Sequence, residues 1–137
     1  MPVSIPAFSP AWADALRTAV NADADYRTVA ANWTNPVALV VEPGTELADG
    51  AAVQVDLRAG ACVHADAMTA TDVSAPYVLS AGLAAWKEIL DGNADPISAV
   101  ANGRVRLTRG SISVLMLNAR AAKALLTCAR QIETLWP

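Results

Sequence analysis

Cys62, His64 and Asp66 occupy alternate positions in the run Ala61–Met68, ACVHADAM. On an extended strand that spacing puts them on one face, where a thiolate, a base and an orienting carboxylate could be assembled. Side chains alternating along one strand nevertheless point outward in parallel, which is poor geometry for mutual activation. The polar outer face of a hairpin is the simpler reading. His64 is the only histidine in the chain, which removes most histidine-based metal sites and Ser-His-Asp triads. Cys128 stands at no CxxC or zinc-like spacing from Cys62, so both read as small core residues rather than as a disulfide. No GxSxG elbow, Walker loop, GxGxxG or HExxH pattern is present. Asp72, Asp91 and Asp95 stand where turns and helix caps use them. The sequence therefore calls for no catalytic set, no metal and no cofactor.

The other group with chemical potential is basic: Arg104, Arg106 and Arg109, on and just after one alternating segment. The net charge of −3 hides a split. Residues 1–100 carry 12 acidic and 4 basic side chains, net −8, whereas 101–137 carry 6 basic and one acidic, net +5. A scattered, solvated helix face explains this, and so does a basic rim that meets phosphates of lipid headgroups or of an anionic ligand. Nucleic acid is not the expected partner. No aromatic residues interleave with the arginines as stacking platforms, and the pI is near 4.9.

The elements that would position these groups follow from periodicity. Ser9-Pro10 is a cap-plus-proline start for a helix over 10–21 with Trp12, Leu16, Ala19 and Val20 on one face. A second helix is predicted over 23–32, turning Tyr26, Val29, Ala30 and Trp33 inward, and Asn35-Pro36 breaks it. Val37–Val41 is a short apolar run suited to a strand covered on both faces. Ala51–Arg58 alternates, with Val53, Val55 and Leu57 inward. Ala59-Gly60 turns the chain, and Ala61–Met68 returns with Val63, Ala65 and Ala67 inward as an antiparallel hairpin. Residues 75–80 form a predicted fourth strand. In 83–110 a helix carries Leu83, Trp86, Ile89 and Leu90 on one face and ends at Gly92, a C′ residue. Asp95-Pro96 starts a short helix that buries Ile97, Val100 and Ala101, and 104–108 alternates as a strand. Ser111 can cap a helix with Ile112, Leu115 and Met116 on one face, though 111–117 also fits a strand. Asn118 can cap a continuation with Ala122, Leu125, Leu126, Ala129 and Ile132 inward, so 111–135 reads as one helix or two. Helices, strands, short helices, a strand and a final helix make an α+β domain with an antiparallel-rich sheet.

The chain, 137 residues at 54% hydrophobic composition and a mean hydropathy of +0.32, is expected to form one domain, residues 1–137, with a proper core. Much of that hydropathy is alanine. No run approaches the roughly 18 apolar residues of a spanning helix. The opening MPVSIPAFSPAW lacks the basic region and apolar core of a signal peptide, so a cytoplasmic location is expected. Aromatic content is 5%. Small residues on helices that cover a sheet can leave a hollow, which is how a fold takes a greasy ligand.

The segment Trp86 to Gly110, WKEILDGNADPISAVANGRVRLTRG, resembles the signature of the sterol carrier protein 2 family of lipid-binding domains. That family's pattern is a hairpin ending in ADAxxT, a helix with W-x-x-(I/L)-(L/I)-x-G, a D-P pair and a G-(R/K)-(V/I)-x-(L/V)-x-G strand. Ala65-Asp66-Ala67-Met68-Thr69 matches the strand end. Trp86, Ile89, Leu90 and Gly92 match the helix, Asp95-Pro96 the pair, and Gly103, Val105, Leu107 and Gly110 the last strand. The stretch from Phe8 to Trp33 is similar to the leading helices of small stand-alone bacterial members, so the resemblance covers nearly the whole chain. It departs in two places. Ser111 stands where the family usually has an acidic residue, and the chain ends Leu135-Trp136-Pro137 rather than in a peroxisomal tripeptide.

The resemblance implies a five-stranded sheet whose helices enclose an apolar cavity or tunnel. It also implies binding of sterols, fatty acids, fatty acyl-CoA or phospholipids without catalytic residues. The leading expectation is a non-enzymatic carrier for an apolar small molecule, with transient contact at a membrane surface. Its expected lining is Trp33, Val55, Leu57, Trp86, Leu90, Val100, Leu107, Met116 and Leu125, with Arg104, Arg106 and Arg109 as contacts for an anionic head. One alternative is a domain acting on an acyl-thioester through Cys62, His64 or Asp66, which requires His64 at the mouth of a pocket. The other is a dimerising scaffold.

Overall fold

The computed structural model describes residues 4–137. A sheet forms wherever the sequence carries a period-two or β-branched pattern. Its strands are β2 (Val37–Val41), β3 (Ala51–Arg58), β4 (Ala61–Met68), β5 (Tyr77–Ala81) and β6 (Arg106–Arg109), in the order β4-β3-β2-β5-β6. Neighbours are antiparallel except β2 and β5, which run parallel with Leu39 opposite Leu79. β2 and β5 are also the two strands buried along their whole length, as expected of strands covered on both faces. A small parallel bridge between β1 (Ile5–Pro6) and β7 (Thr134–Leu135) ties the two ends of the described chain together.

The helices are α1 (Pro10–Ala22), α2 (Ala24–Val29), α3 (Leu83–Leu90), α4 (Pro96–Ala101), α5 (Ile112–Leu117) and α6 (Ala119–Arg130). Four of them start at side-chain caps. Ser9 accepts from the Trp12 amide, Asp23 from Tyr26, Asp95 from Ser98 and Ser111 from Val114. The apolar helix faces join Val37, Leu39, Val53, Val55, Leu57, Tyr77 and Leu79 in one large core. The opposite sheet face, with Ala38, Val40, Ala52 and Val78, is closed by Met68 at the end of β4 and by Ala70, Val73 and Ala75 from the β4–β5 connection. Phe8 holds a left-handed backbone, φ 59°, at a buried position. Its ring stacks on Trp12, with centroids 4.7 Å apart, and meets Trp86 at 6.1 Å, contacts that offset the local strain.

Several predicted details change, each for a physical reason. The β3–β4 turn takes positive φ at both Ala59 and Gly60, the twist-matched hairpin geometry. A Cβ on Gly60 would lie 2.7 Å from the Arg27 carbonyl oxygen, so glycine is required there. Beyond the turn a β-bulge puts Leu57 opposite Cys62 and Asp56 opposite His64, leaving Val63 unpaired. The extra residue flips the face: Cys62 is buried and Val63 exposed, the reverse of simple alternation. Asn21 of α1 fixes the bulge by pairing with both backbone groups of Cys62, at 2.8 and 2.9 Å.

α2 is shorter than the predicted 23–32 and leaves Val29 exposed. In α4 the buried residues are Pro96 and Ala99, whereas Ile97 and Val100 are half-buried and Ala101 is exposed. The segment 111–135 contains two helices. Asn118, at φ −113° and ψ 27°, breaks them, and its side-chain amide donates back to the Val114 carbonyl. On α5 only Leu115 is buried, so Ile112 and Met116 do not turn inward.

Candidate functional site

Three sheet residues, Val37, Leu57 and Leu79, form the floor of a small cavity. Tyr26 of α2 and Trp33 beyond it make one wall. Leu115 and Asn118 from α5 and the α5–α6 break, with Ala121, Ala122, Leu125 and Leu126 of α6, make the roof. The floor exists because β2, β3 and β5 alternate in register, so these residues share a face. Trp33 is fixed by an indole N–H donated to the Asn35 carbonyl at 2.8 Å and by edge contact with the Tyr77 ring, centroids 4.9 Å apart. Burial pushes the Tyr26 hydroxyl upward, so it stays protonated. Apart from that hydroxyl and the Asn118 amide the lining is apolar, and no charged group reaches it.

The volume of this cavity, about 20 Å³, is enough for a water-sized probe and far short of a lipid. Two larger hollows are open and charged. One, of about 430 Å³, lies among Lys87, Asp91, Arg130, Glu133, Leu90 and Trp136. The other, of about 280 Å³, runs between α2 and α6 past Asp23, Asp25, Val29, Arg120 and Lys123. Both mix signs of charge and are more open, so the small apolar cavity is the better candidate for an apolar molecule.

The expected lining residues are thus dispersed. Trp33, Leu57 and Leu125 meet in the cavity. Val55 and Trp86 are fully buried core, with the Trp86 indole N–H on the Val40 carbonyl at 2.8 Å. Val100 and Leu107 are half-buried at the core margin. Leu90 is buried beside the large polar hollow, and Met116 is 41% exposed. Tyr26, Leu115 and Leu126 had an inward signal in their periodicity and Leu79 lay in the predicted fourth strand, but nothing in a single sequence distinguishes a residue facing a hollow from one facing a neighbour. Ala121 lay outside the predicted α6 face.

The arginines divide likewise. Arg104 pairs with Glu88 and Arg106 with Glu42. Arg109 instead donates to the carbonyls of Val73 and Ala75, at 3.4 and 3.0 Å, so no carboxylate offsets its charge.

The reactive trio is not brought together. His64 and Asp66 pair at 2.8 Å on the open face of edge strand β4, with side chains 64% and 52% exposed. Neither lines any of the three hollows. Cys62 points the other way, into the core, and its thiol donates to the His64 carbonyl at 3.3 Å. Burial pushes the Cys62 thiol up to about 11 and the Cys128 thiol up to about 12, the latter also raised by the Asp23 carboxylate. Thiols so held are poor nucleophiles at neutral pH. An acyl-thioester site would require His64 at a pocket mouth, and it stands at the mouth of none of these three hollows. Among the described residues no group of three or more His, Cys, Asp or Glu side chains is placed to hold a metal, and no helix is long and apolar enough to cross a membrane.

No protein-family model matches the chain, and no curated protein does. Solved structures do. The chain is similar to a crystal structure of sterol carrier protein 2, at 37% identity and a TM-score of 0.88, over 92% of this chain and 98% of that one. It is also similar to a conserved hypothetical protein of Thermus thermophilus that has been suggested to be a sterol carrier protein. That likeness has 34% identity and a TM-score of 0.87, over 98% of this chain and 97% of the other. The apo form of sterol carrier protein 2 from Yarrowia lipolytica shares the fold, with a TM-score of 0.56 at 13% identity over 85% and 88% of the two chains.

Proposed function

The chain belongs to the sterol carrier protein 2 family, and we propose that it is a non-enzymatic carrier for one apolar molecule: a fatty acid, fatty acyl-CoA, sterol-like lipid or phospholipid. The observation that carries this reading is the cavity between the sheet, α2 and the α5–α6 corner, whose lining holds no charged group. The ligand would displace that roof and lie on Val37, Leu57 and Leu79, with Trp33 and Leu125 at its sides. Val55, Trp86, Leu90, Val100, Leu107 and Met116 do not line the cavity as it stands and would join the site only as it widens. A ligand site is typically about 300 Å³ or more, so uptake requires opening. The drive is burial: some 15 methylenes at about 0.8 kcal/mol each give roughly 12 kcal/mol before ordering and opening are subtracted. The exposed His64–Asp66 pair and the protonated, buried thiols support a carrier without chemistry.

Titration with fluorescent fatty-acid and sterol analogues tests the reading, together with organic extraction of the purified protein and mass spectrometry. Saturable binding of one ligand per chain, unchanged in a His64→Ala variant, is expected. A lack of saturable binding combined with an extract free of lipid would overturn it.

A further inference from the structure

One six-residue helix carries most of the large apolar side chains left in the open. On α5, Ile112 is 51% exposed, Val114 36%, Met116 41% and Leu117 86%, whereas Leu115 alone is buried. At about 100° per residue, the exposed positions fall at roughly 0°, 200°, 40° and 140°, so they face several directions. A groove on a partner protein takes one stripe of a helix, spaced i, i+3, i+4. A helix apolar around most of its girth suits an apolar medium instead.

The charge around it has one sign. Between Asp95 and Glu133 the sequence has no acidic residue and six basic ones before Arg130 is passed. Arg104 and Arg106 are spent on Glu88 and Glu42, and Lys123 lies 3.4 Å from Asp95. Arg109, just before α5 in sequence, is tied to the Val73 and Ala75 carbonyls of the connection that closes the opposite sheet face, which leaves Arg120 as the arginine beside the helix. Arg120, in the first turn of α6, is exposed and makes no hydrogen bond or ion pair among the described residues. Asp23 and Asp25 share a groove with Arg120, but Asp23 is engaged by the Tyr26 amide and the Gln131 side chain.

We propose that α5 is a membrane-docking element. It enters the boundary between headgroups and acyl chains of a bilayer containing anionic phospholipid, with Arg120 on a phosphate at its C-terminal end. Through Leu115 and Asn118 the same helix roofs the apolar cavity, so docking sets the cavity against the acyl chains from which a ligand would come. That last step rests on the carrier reading; the contact itself does not.

The test is co-sedimentation with phosphatidylcholine vesicles with and without phosphatidylserine. The wild type is expected to bind the phosphatidylserine vesicles and to be released when salt is raised from ~0.1 M to ~1 M, as the Debye length falls from about 10 to about 3 Å. Leu117→Asp, at a position too exposed to disturb folding, should lower binding at least about tenfold. Arg120→Glu should remove the preference for phosphatidylserine. Val63→Asp, at an open apolar site on the far edge strand β4, should change nothing. A Leu117→Cys variant labelled with an environment-sensitive dye should brighten on the vesicles, because both native cysteines are buried. Absence of vesicle binding, equal loss in Val63→Asp, or a concentration-dependent dimer that Leu117→Asp dissolves would overturn the proposal. Fluorescent fatty-acid binding without vesicles is measured in parallel. Ligand binding without docking sinks this inference alone, and docking without ligand binding sinks the carrier reading alone.

Discussion

Leu115→Ala separates a hinged roof from a fixed one. Leu115 is 5% exposed and is the one buried side chain of α5. Truncation removes three carbons, about 2.4 kcal/mol at ~0.8 kcal/mol per buried CH₂. At a rigid core site the loss would reach the ~2.7–5.0 kcal/mol typical of Leu→Ala. On an element with a single anchor the loss is capped, because once α5 is free further weakening of its docking no longer affects the remainder. The expected global loss is therefore about 1–2 kcal/mol by urea unfolding, less than for Leu125→Ala, which deletes an equal side chain from the same cavity on the well-anchored α6. The open population of α5 should rise by up to about fiftyfold, the equivalent of ~2.4 kcal/mol. That rise has two readouts. The amides of Leu115 and Asn118, bonded to the Ser111 and Val114 carbonyls, should lose hydrogen-exchange protection while those of α6 keep it. Association of a fluorescent fatty acid should quicken in Leu115→Ala and not in Leu125→Ala. Equal destabilisation by the two variants, with α5 still protected to the level of global unfolding, would refute the hinge.

Trp86→Phe should lower stability by about 1–3 kcal/mol in urea unfolding, because it leaves the buried Val40 carbonyl without its 2.8 Å indole donor; an unchanged midpoint would contradict this. The Tyr26 amide on Asp23 and the Ser98 amide on Asp95 hold both carboxyls below the ordinary 3.8. Their contribution is complete above that value and is lost as pH falls through the lowered folded values. Asparagine still caps a helix, so Asp23→Asn with Asp95→Asn should match wild-type melting at neutral pH and show a shallower decline in acid, and superimposable acid limbs would refute it. Cys62 and Cys128, pushed up to about 11 and about 12 by burial, should resist a thiol-specific disulfide reagent at neutral pH until denaturant is added. Rapid reaction in the native protein would mean that the core opens at these sites.

How far the sequence could be read depended on the kind of signal each element carried. Caps were legible because they are local: Ser9, Asp95 and Ser111 each need only an amide three residues on. Strands β3 and β4 were legible because period two is short, and β2 because a short β-branched apolar run suits a strand covered on both faces. The bulge at Val63 was not, because it is fixed from outside the strand, by the Asn21 clamp on Cys62. One inserted residue then reversed both Cys62 and Val63, and that undid the reactive trio. Arg104 and Arg106 showed their charge in the sequence, but their pairing with Glu88 and Glu42 depends on contacts 16 and 64 residues away. The helix α5 misled for a different reason. Its apolar residues are the usual mark of burial, and here most of them face outward.

A cavity of about 20 Å³ must gain several hundred cubic ångströms to hold a lipid, and the surroundings differ in what they can yield. The floor cannot move without breaking the β3-β2-β5 ladder. α6 is held by Leu125, Leu126, Cys128 and Ala129 in the core, and by the Arg130 guanidinium on the carbonyls of Ile89 and Ala94 at 2.7 and 2.9 Å. α1 is fixed at both ends by the Trp12 indole on Thr134 and by Asn21 on Cys62. The least anchored part of the roof is α5, set between Gly110 at φ 110° and the break at Asn118, with one buried side chain and an exposed apolar surface that water disfavours. In water, swinging α5 outward would expose Leu115 and the cavity floor as well. Against acyl chains the same motion exposes them to an apolar medium and removes most of that penalty. The roof should therefore open far more readily at a bilayer than in solution, so that fatty-acid uptake from vesicles outpaces uptake of the same monomeric ligand from buffer.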